Sequence, residues 1–173
     1  MTGLLIFLAM LLSGRALAVE PTPTTTVSFS LSTDGWGPVR IGMSPSEAKH
    51  ALGGTFQSTL GGPHETACFL LQPSKYPHVS FMVTDGRISR IDIDTKSFVT
   101  REGIRLGDSE AKIKHLYGRK LTVMPHPYTD GHYFVVRRVK GSARGYVFES
   151  DGTIVTTFRA GKFPEIEFIE GCE

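Results

Sequence analysis

No apolar run in this 173-residue chain is long enough to cross a bilayer, which takes roughly 20 residues; the longest, residues 3–12, has ten. Charge of one sign is also missing. Lys and Arg number 19 against 17 Asp and Glu. That near-neutral balance excludes the basic footprint of a nucleic-acid binder and the acidic composition of a disordered chain. No Gly-x-Ser-x-Gly nucleophile turn and no phosphate-cradling glycine loop occurs. Tryptophan appears once, at Trp36, and cysteine twice, at Cys68 and Cys172.

The ten-residue apolar run is followed by Ala16-Leu17-Ala18, a small-x-small cleavage signal. Together they read as a secretory signal peptide over residues 1–18. Its removal takes away only Arg15 among the charged residues and leaves 155 residues, the length of one ordinary domain or of two small ones sharing a core. A periplasmic or secreted protein lives in an oxidising compartment, so two cysteines read as one Cys68–Cys172 disulfide. The alternative is two free thiols.

What the sequence does have is an internal echo. Val39-Arg40-Ile41-Gly42-Met43-Ser44 returns about 65 residues later as Ile104-Arg105-Leu106-Gly107-Asp108-Ser109. Thr84-Asp85-Gly86-Arg87-Ile88 returns as Ser150-Asp151-Gly152-Thr153-Ile154. Repeats of this kind bear on architecture before anything else. Ser44, Pro45 and Glu47 form a capping box: the Ser oxygen takes an orphan amide, and the Glu reaches back for another. Ala48, Ala51 and Leu52 give an apolar stripe, and Gly53 a left-handed stop. In the second copy Asp108 or Ser109 caps, Ile113, Leu116 and Tyr117 form the stripe, and Gly118 stops it. Helices this short are marginal alone and must lie on a sheet.

The rest alternates. Residues 27–31, 67–71, 79–83 and 88–93 read as strands in the first half, with Asp85-Gly86 as a hairpin turn. Residues 120–124, 133–136, 146–148, 154–158 and 166–169 read as strands in the second. The predicted fold is α+β: two tandem homologous units, each a short helix packed on three or four antiparallel strands. The division is a signal peptide over 1–18, a leader and first strand over 19–34, unit one over 35–100 and unit two over 101–173.

The Gly-x-Arg-x-Gly-type openings, capped helices and Asp-Gly hairpins resemble two groups. One is the β-lactamase inhibitor proteins, which carry tandem helix-plus-sheet repeats. The other is the small lipoproteins that assist outer-membrane assembly, whose lipidated cysteine is missing here. The tandem arrangement, His126-x-Tyr128 and the closing Glu170-Gly171-Cys172 resemble uncharacterised bacterial periplasmic proteins of the same repeat type. The resemblance spans roughly residues 35–172 and rests on caps, glycines and turns. It implies a binding or accessory role rather than catalysis, and carries over no functional residue.

Six histidines invite a metal reading. His50 and His115 hold equivalent helix positions near a C-terminus, where a histidine favours the helix dipole. The densest polar cluster is residues 125–133, with His126, Tyr128, Asp130 and His132. Two histidines and a carboxylate can hold Zn²⁺ with one position open, which makes a small hydrolase or metal-dependent enzyme the alternative from another class. The preferred reading is an exposed contact surface with no metal and no cofactor. Asp92 with Asp94, and Glu165 with Glu167, read as the solvent side of strands. Arg137, Arg138, Lys140 and Arg144 form a local basic patch. Tyr76 and Tyr128 support a third alternative, an envelope-glycan or polymer-binding module. The function expected first is a non-catalytic protein-binding or accessory role, an enzyme inhibitor in its sharpest form, with a protein partner, no nucleic acid and no membrane span in the mature chain.

Overall fold

The computed structural model describes residues 29–59, 67–137 and 141–172. The signal peptide, the leader, and Arg138 and Lys140 of the basic patch lie outside them. Elements run β1 (Ser30–Ser32), β2 (Gly35–Trp36), β3 (Val39–Arg40), α1 (Pro45–Leu52), β4 (Phe56–Thr59), β5 (Cys68–Pro73), β6 (Val79–Thr84), β7 (Arg87–Ile93) and β8 (Val99–Thr100). They continue with α2 (Glu110–Tyr117), β9 (Leu121–Pro125), β10 (His132–Arg137), β11 (Arg144–Ser150) and β12 (Val155–Lys162). The architecture is mixed α+β and mostly antiparallel. Among the described residues no helix is long and apolar enough to cross a membrane.

Both helices start where side chains satisfy their free amides. Ser44 Oγ accepts from Glu47 N at 3.2 Å while Glu47 Oε2 accepts from Ser44 N at 2.7 Å, the reciprocal box the sequence predicts. In α2 the cap is Ser109, whose Oγ accepts from Lys112 N at 3.3 Å. Asp108 serves the loop before it, accepting from Arg105 N at 2.8 Å.

A sheet of eight strands runs β4-β5-β6-β7-β12-β11-β10-β9. Its middle seam, β7 against β12, sets Ile93 opposite Phe158 and Ile91 opposite Ala160. A smaller sheet, β3-β2-β1-β8, includes one parallel pairing, β1 with β8. Strand alternation sends one set of side chains to a main core with Phe81, Ile91, Phe134, Phe148 and Phe158, all fully buried. Both helices place a buried residue in that core, Ala48 and Ile113. Trp36 closes it at one end, edge-on to Phe29, Tyr76 and Phe98 at about 5 Å. Tyr76 therefore packs in the core rather than standing out as a contact aromatic.

Two strands differ from expectation. β4 is present although its sequence, Phe56-Gln57-Ser58-Thr59, carries one apolar residue; it is an edge strand held by β5. Residues 166–169 form no strand. The chain leaves β12, makes a 3-10 turn over Glu165–Glu167 and crosses the sheet as a strap. The strap ends at Cys172, disulfide-bonded to Cys68 on β5 with Cα atoms 5.4 Å apart.

Candidate functional site

The 126–132 loop joins β9 to β10, with Met124 opposite Tyr133 and Pro125 opposite His132. Alternation then decides where its two histidines point. His126 lies two residues beyond Met124 and shares that residue's face; His132 precedes Tyr133 and takes the other. The contacts agree. His126 stacks on Tyr133 with ring centroids 4.6 Å apart, while His132 sits 5.9 Å from Phe134 of the main core. The two imidazoles face opposite sides of the sheet. Asp130 is exposed at the loop tip. The described residues hold no group of three or more His, Cys, Asp or Glu spaced for a metal ion.

On the helix side His132 belongs to a docking network. Glu110, in the first turn of α2, is buried. Its Oε1 meets His132 Nδ1 at 2.7 Å and accepts from Ser150 Oγ at 2.6 Å; its Oε2 accepts from Lys114 Nζ at 3.0 Å. Burial opposes ionisation of Glu110, but the bonds from Ser150, His132 and Lys114 outweigh it and hold the carboxyl at about 2. Ser, His and a carboxylate are all present, yet both Ser150 and His132 bond the carboxylate. A nucleophile needs the histidine between hydroxyl and acid. The trio pins α2 to β10 and β11.

The other face carries the strap. Ile166 is fully buried against Tyr133, Val135 and Val147, with Phe163 beside them. Gly145 permits the approach: a Cβ there would stand 2.2 Å from the Val136 carbonyl oxygen and 2.9 Å from the Phe163 ring. Two buried arginines hold the strap's backbone. Arg159 Nε donates to the Ile166 carbonyl at 2.7 Å, and Arg90 Nη1 to those of Phe168 at 2.8 Å and Glu165 at 3.2 Å. Each has its own counter-charge, Asp92 Oδ2 2.9 Å from Arg90 Nε, and Glu149 bound to Arg159. Asp92 is thus an ion-pair member, and Asp94 is paired with His78 at 2.8 Å.

Strap and loop meet at one rim. The Tyr128 hydroxyl donates to Glu170, and Ile169 shares the lining of a small cavity with Met124. Tyr128 is 69% exposed, Ile169 47%, and Met124 and Phe168 38% each. The sequence singled out His126 and Tyr128 of this rim but missed Met124, Phe168 and Ile169. The parity of the β9–β10 pairing was the available signal; nothing in the strap's sequence said which way it would cross.

The fold and rim define a helix-backed antiparallel sheet whose open face is strapped by its own C-terminal segment. No protein-family model matches the chain, and no curated protein does. Among solved structures it is similar to the uncharacterized protein YfeY from Escherichia coli, at 14% identity and a TM-score of 0.54 over 77% of this chain and 99% of that one. At that identity the likeness shows the fold alone.

Proposed function

We propose that this is a non-catalytic periplasmic or secreted protein-binding or accessory protein whose protein partner rests on the strapped face. An enzyme inhibitor is the sharpest form of the reading. The observation that carries it is the rim itself, where Tyr128, Met124, Phe168 and Ile169 leave apolar surface exposed beside Glu170 and His126. Exposed aromatic and apolar anchors ringed by polar groups are the usual make-up of a binding patch. A photoreactive phenylalanine analogue at position 128 tests it. A protein cross-linked there, and not from position 112 on the helix face, is expected, with loss of the adduct when Ile169→Ser is added. Equal or no cross-linking at both positions would reject the reading.

The same reading takes residues 1–18 as a signal peptide, tested by sequencing the exported chain, whose first residue is expected to be Val19. It also takes 35–100 and 101–173 as tandem units of common origin. Both helices have eight residues and an extended Ser cap, φ −71° and ψ 160° at Ser44 against −72° and 152° at Ser109. Each is followed by four strands of the large sheet. The hairpins differ: Asp85-Gly86 is a two-residue turn, whereas four residues separate Ser150 from its partner Val155. A chain with residues 44–53 replaced by 109–118 should still melt cooperatively; loss of the transition would count against equivalence.

A further inference from the structure

On the helix side, away from the strap, a cleft of about 400 Å³ opens between the end of α2, the β8–α2 turn and the β1–β2 turn. Gly118 ends α2 there, so Leu116 and Tyr117 project at its wall, and the 3-10 turn that follows brings Lys120 to the same cleft. Leu116 is 43% exposed, unusual for a leucine on a core helix. Val136 and the Tyr146 ring complete the apolar wall.

Three charged groups of the cleft have no ionic partner among the described residues. Arg101, Glu102 and Lys120 line it, and none forms an ion pair with another described residue. Asp34, the other carboxylate, is neutralised by Arg144 at 3.1 Å. Tyr117 Oη is buried and makes no well-aligned hydrogen bond among the described residues, with Thr100 and Glu102 its polar neighbours. A buried donor left unmade is costly and is usually matched by a ligand or water. Glu102 lies beside both phenols: burial first, and its negative charge second, push Tyr117 and Tyr146 above the ordinary tyrosine range. The Tyr146 hydroxyl already donates to the Leu31 carbonyl at 3.3 Å.

We infer that this cleft binds a zwitterion with an apolar side chain, a free amino acid or a short peptide. Two unpaired cations face one unpaired carboxylate around an apolar wall, so the ligand needs both signs and a hydrophobic body. Its carboxylate takes Arg101, Lys120 and the Tyr117 hydroxyl; its ammonium takes Glu102; its side chain lies on Leu116, Val136 and Tyr146. The volume falls in the small-molecule range. The inference does not rest on the strapped face, and its failure would leave that reading untouched.

Titration calorimetry of the folded protein with L-phenylalanine and with alanyl-phenylalanine tests it. At least one is expected to bind, and which of them binds tighter identifies the source. N-acetyl-phenylalanine and phenylalaninamide, each lacking one charge, should bind at least about tenfold more weakly, the loss of one charge-assisted bond. Arg101→Gln should reproduce the amide's loss and Glu102→Gln that of the acetylated ligand. Tyr117→Phe should weaken binding while changing the thermal midpoint little, because the hydroxyl it removes makes no well-aligned bond within the fold. Absence of heat with both probes, or equal affinity for the blocked derivatives, would overturn the inference.

Discussion

At the scale of single residues the sharpest consequence belongs to Glu110. Its carboxyl is held at about 2 in the folded chain against an ordinary value of 4.5. A depressed folded value means that the stabilisation is complete above the unfolded pKa and is lost as pH falls from about 4.5 towards 2, on the order of 3 kcal/mol. Glu110→Gln should flatten the dependence of stability on pH in that window, as read by urea titrations at pH 3 and pH 6. A variant as acid-sensitive as the parent would refute the assignment. Ser44 is a second residue-scale test. Ser44→Ala removes one half of a reciprocal cap, and the thermal midpoint should fall by the equivalent of about 1 kcal/mol. This cap was legible in the sequence because its two halves lie three residues apart in one turn. The Glu110 network was not, since Ser150 and His132 reach it only through strand pairing.

At the scale of elements the strap decides most. One side chain, Ile166, fills the second core, so Ile166→Ala should cost about 2–5 kcal/mol as a large-to-small core change. Chemical denaturation checks it, and a cost below about 1 kcal/mol would mean that the arginine clamp alone holds the strap. The strand reading of residues 166–169 fails for a physical reason. Alternation of apolar and polar residues suggests a half-buried extended segment, but here Ile166, buried, and Glu167, exposed, lie in a 3-10 turn that only then leads into the strap. Whether such a segment joins a ladder depends on which groups take its carbonyls, and here Arg90 and Arg159 take them. Periodicity carries no information about those arginines, which lie 78 residues from Phe168 in the case of Arg90 and 7 from Ile166 in the case of Arg159. The six longer strands of the large sheet outside its two edges and the two helices are local patterns, and the sequence displays them.

At the scale of the whole molecule the disulfide ties the strap to the opposite half of the sheet. It joins residues 104 apart, and in the chain-entropy model closing so long a loop removes about 4.7 kcal/mol of unfolded-state freedom. Replacing both cysteines by serine should therefore lower stability by up to about that amount. Thiol titration of the unreduced, denatured parent should find no free thiol; two per chain would refute the bond. The signal-peptide reading and the cysteine count made this pairing legible, whereas the order of strands across the sheet was not, because any of several pairings satisfies the same alternation. The bond also has a consequence in time. Cys68 leaves the ribosome 104 residues before its partner, and at about 5–20 residues per second it waits on the order of 5–20 s with no thiol of its own chain to meet. Until synthesis has passed Cys172 the Cys68 thiol has no partner within its own chain, so the bond closes only after the strap itself has been made.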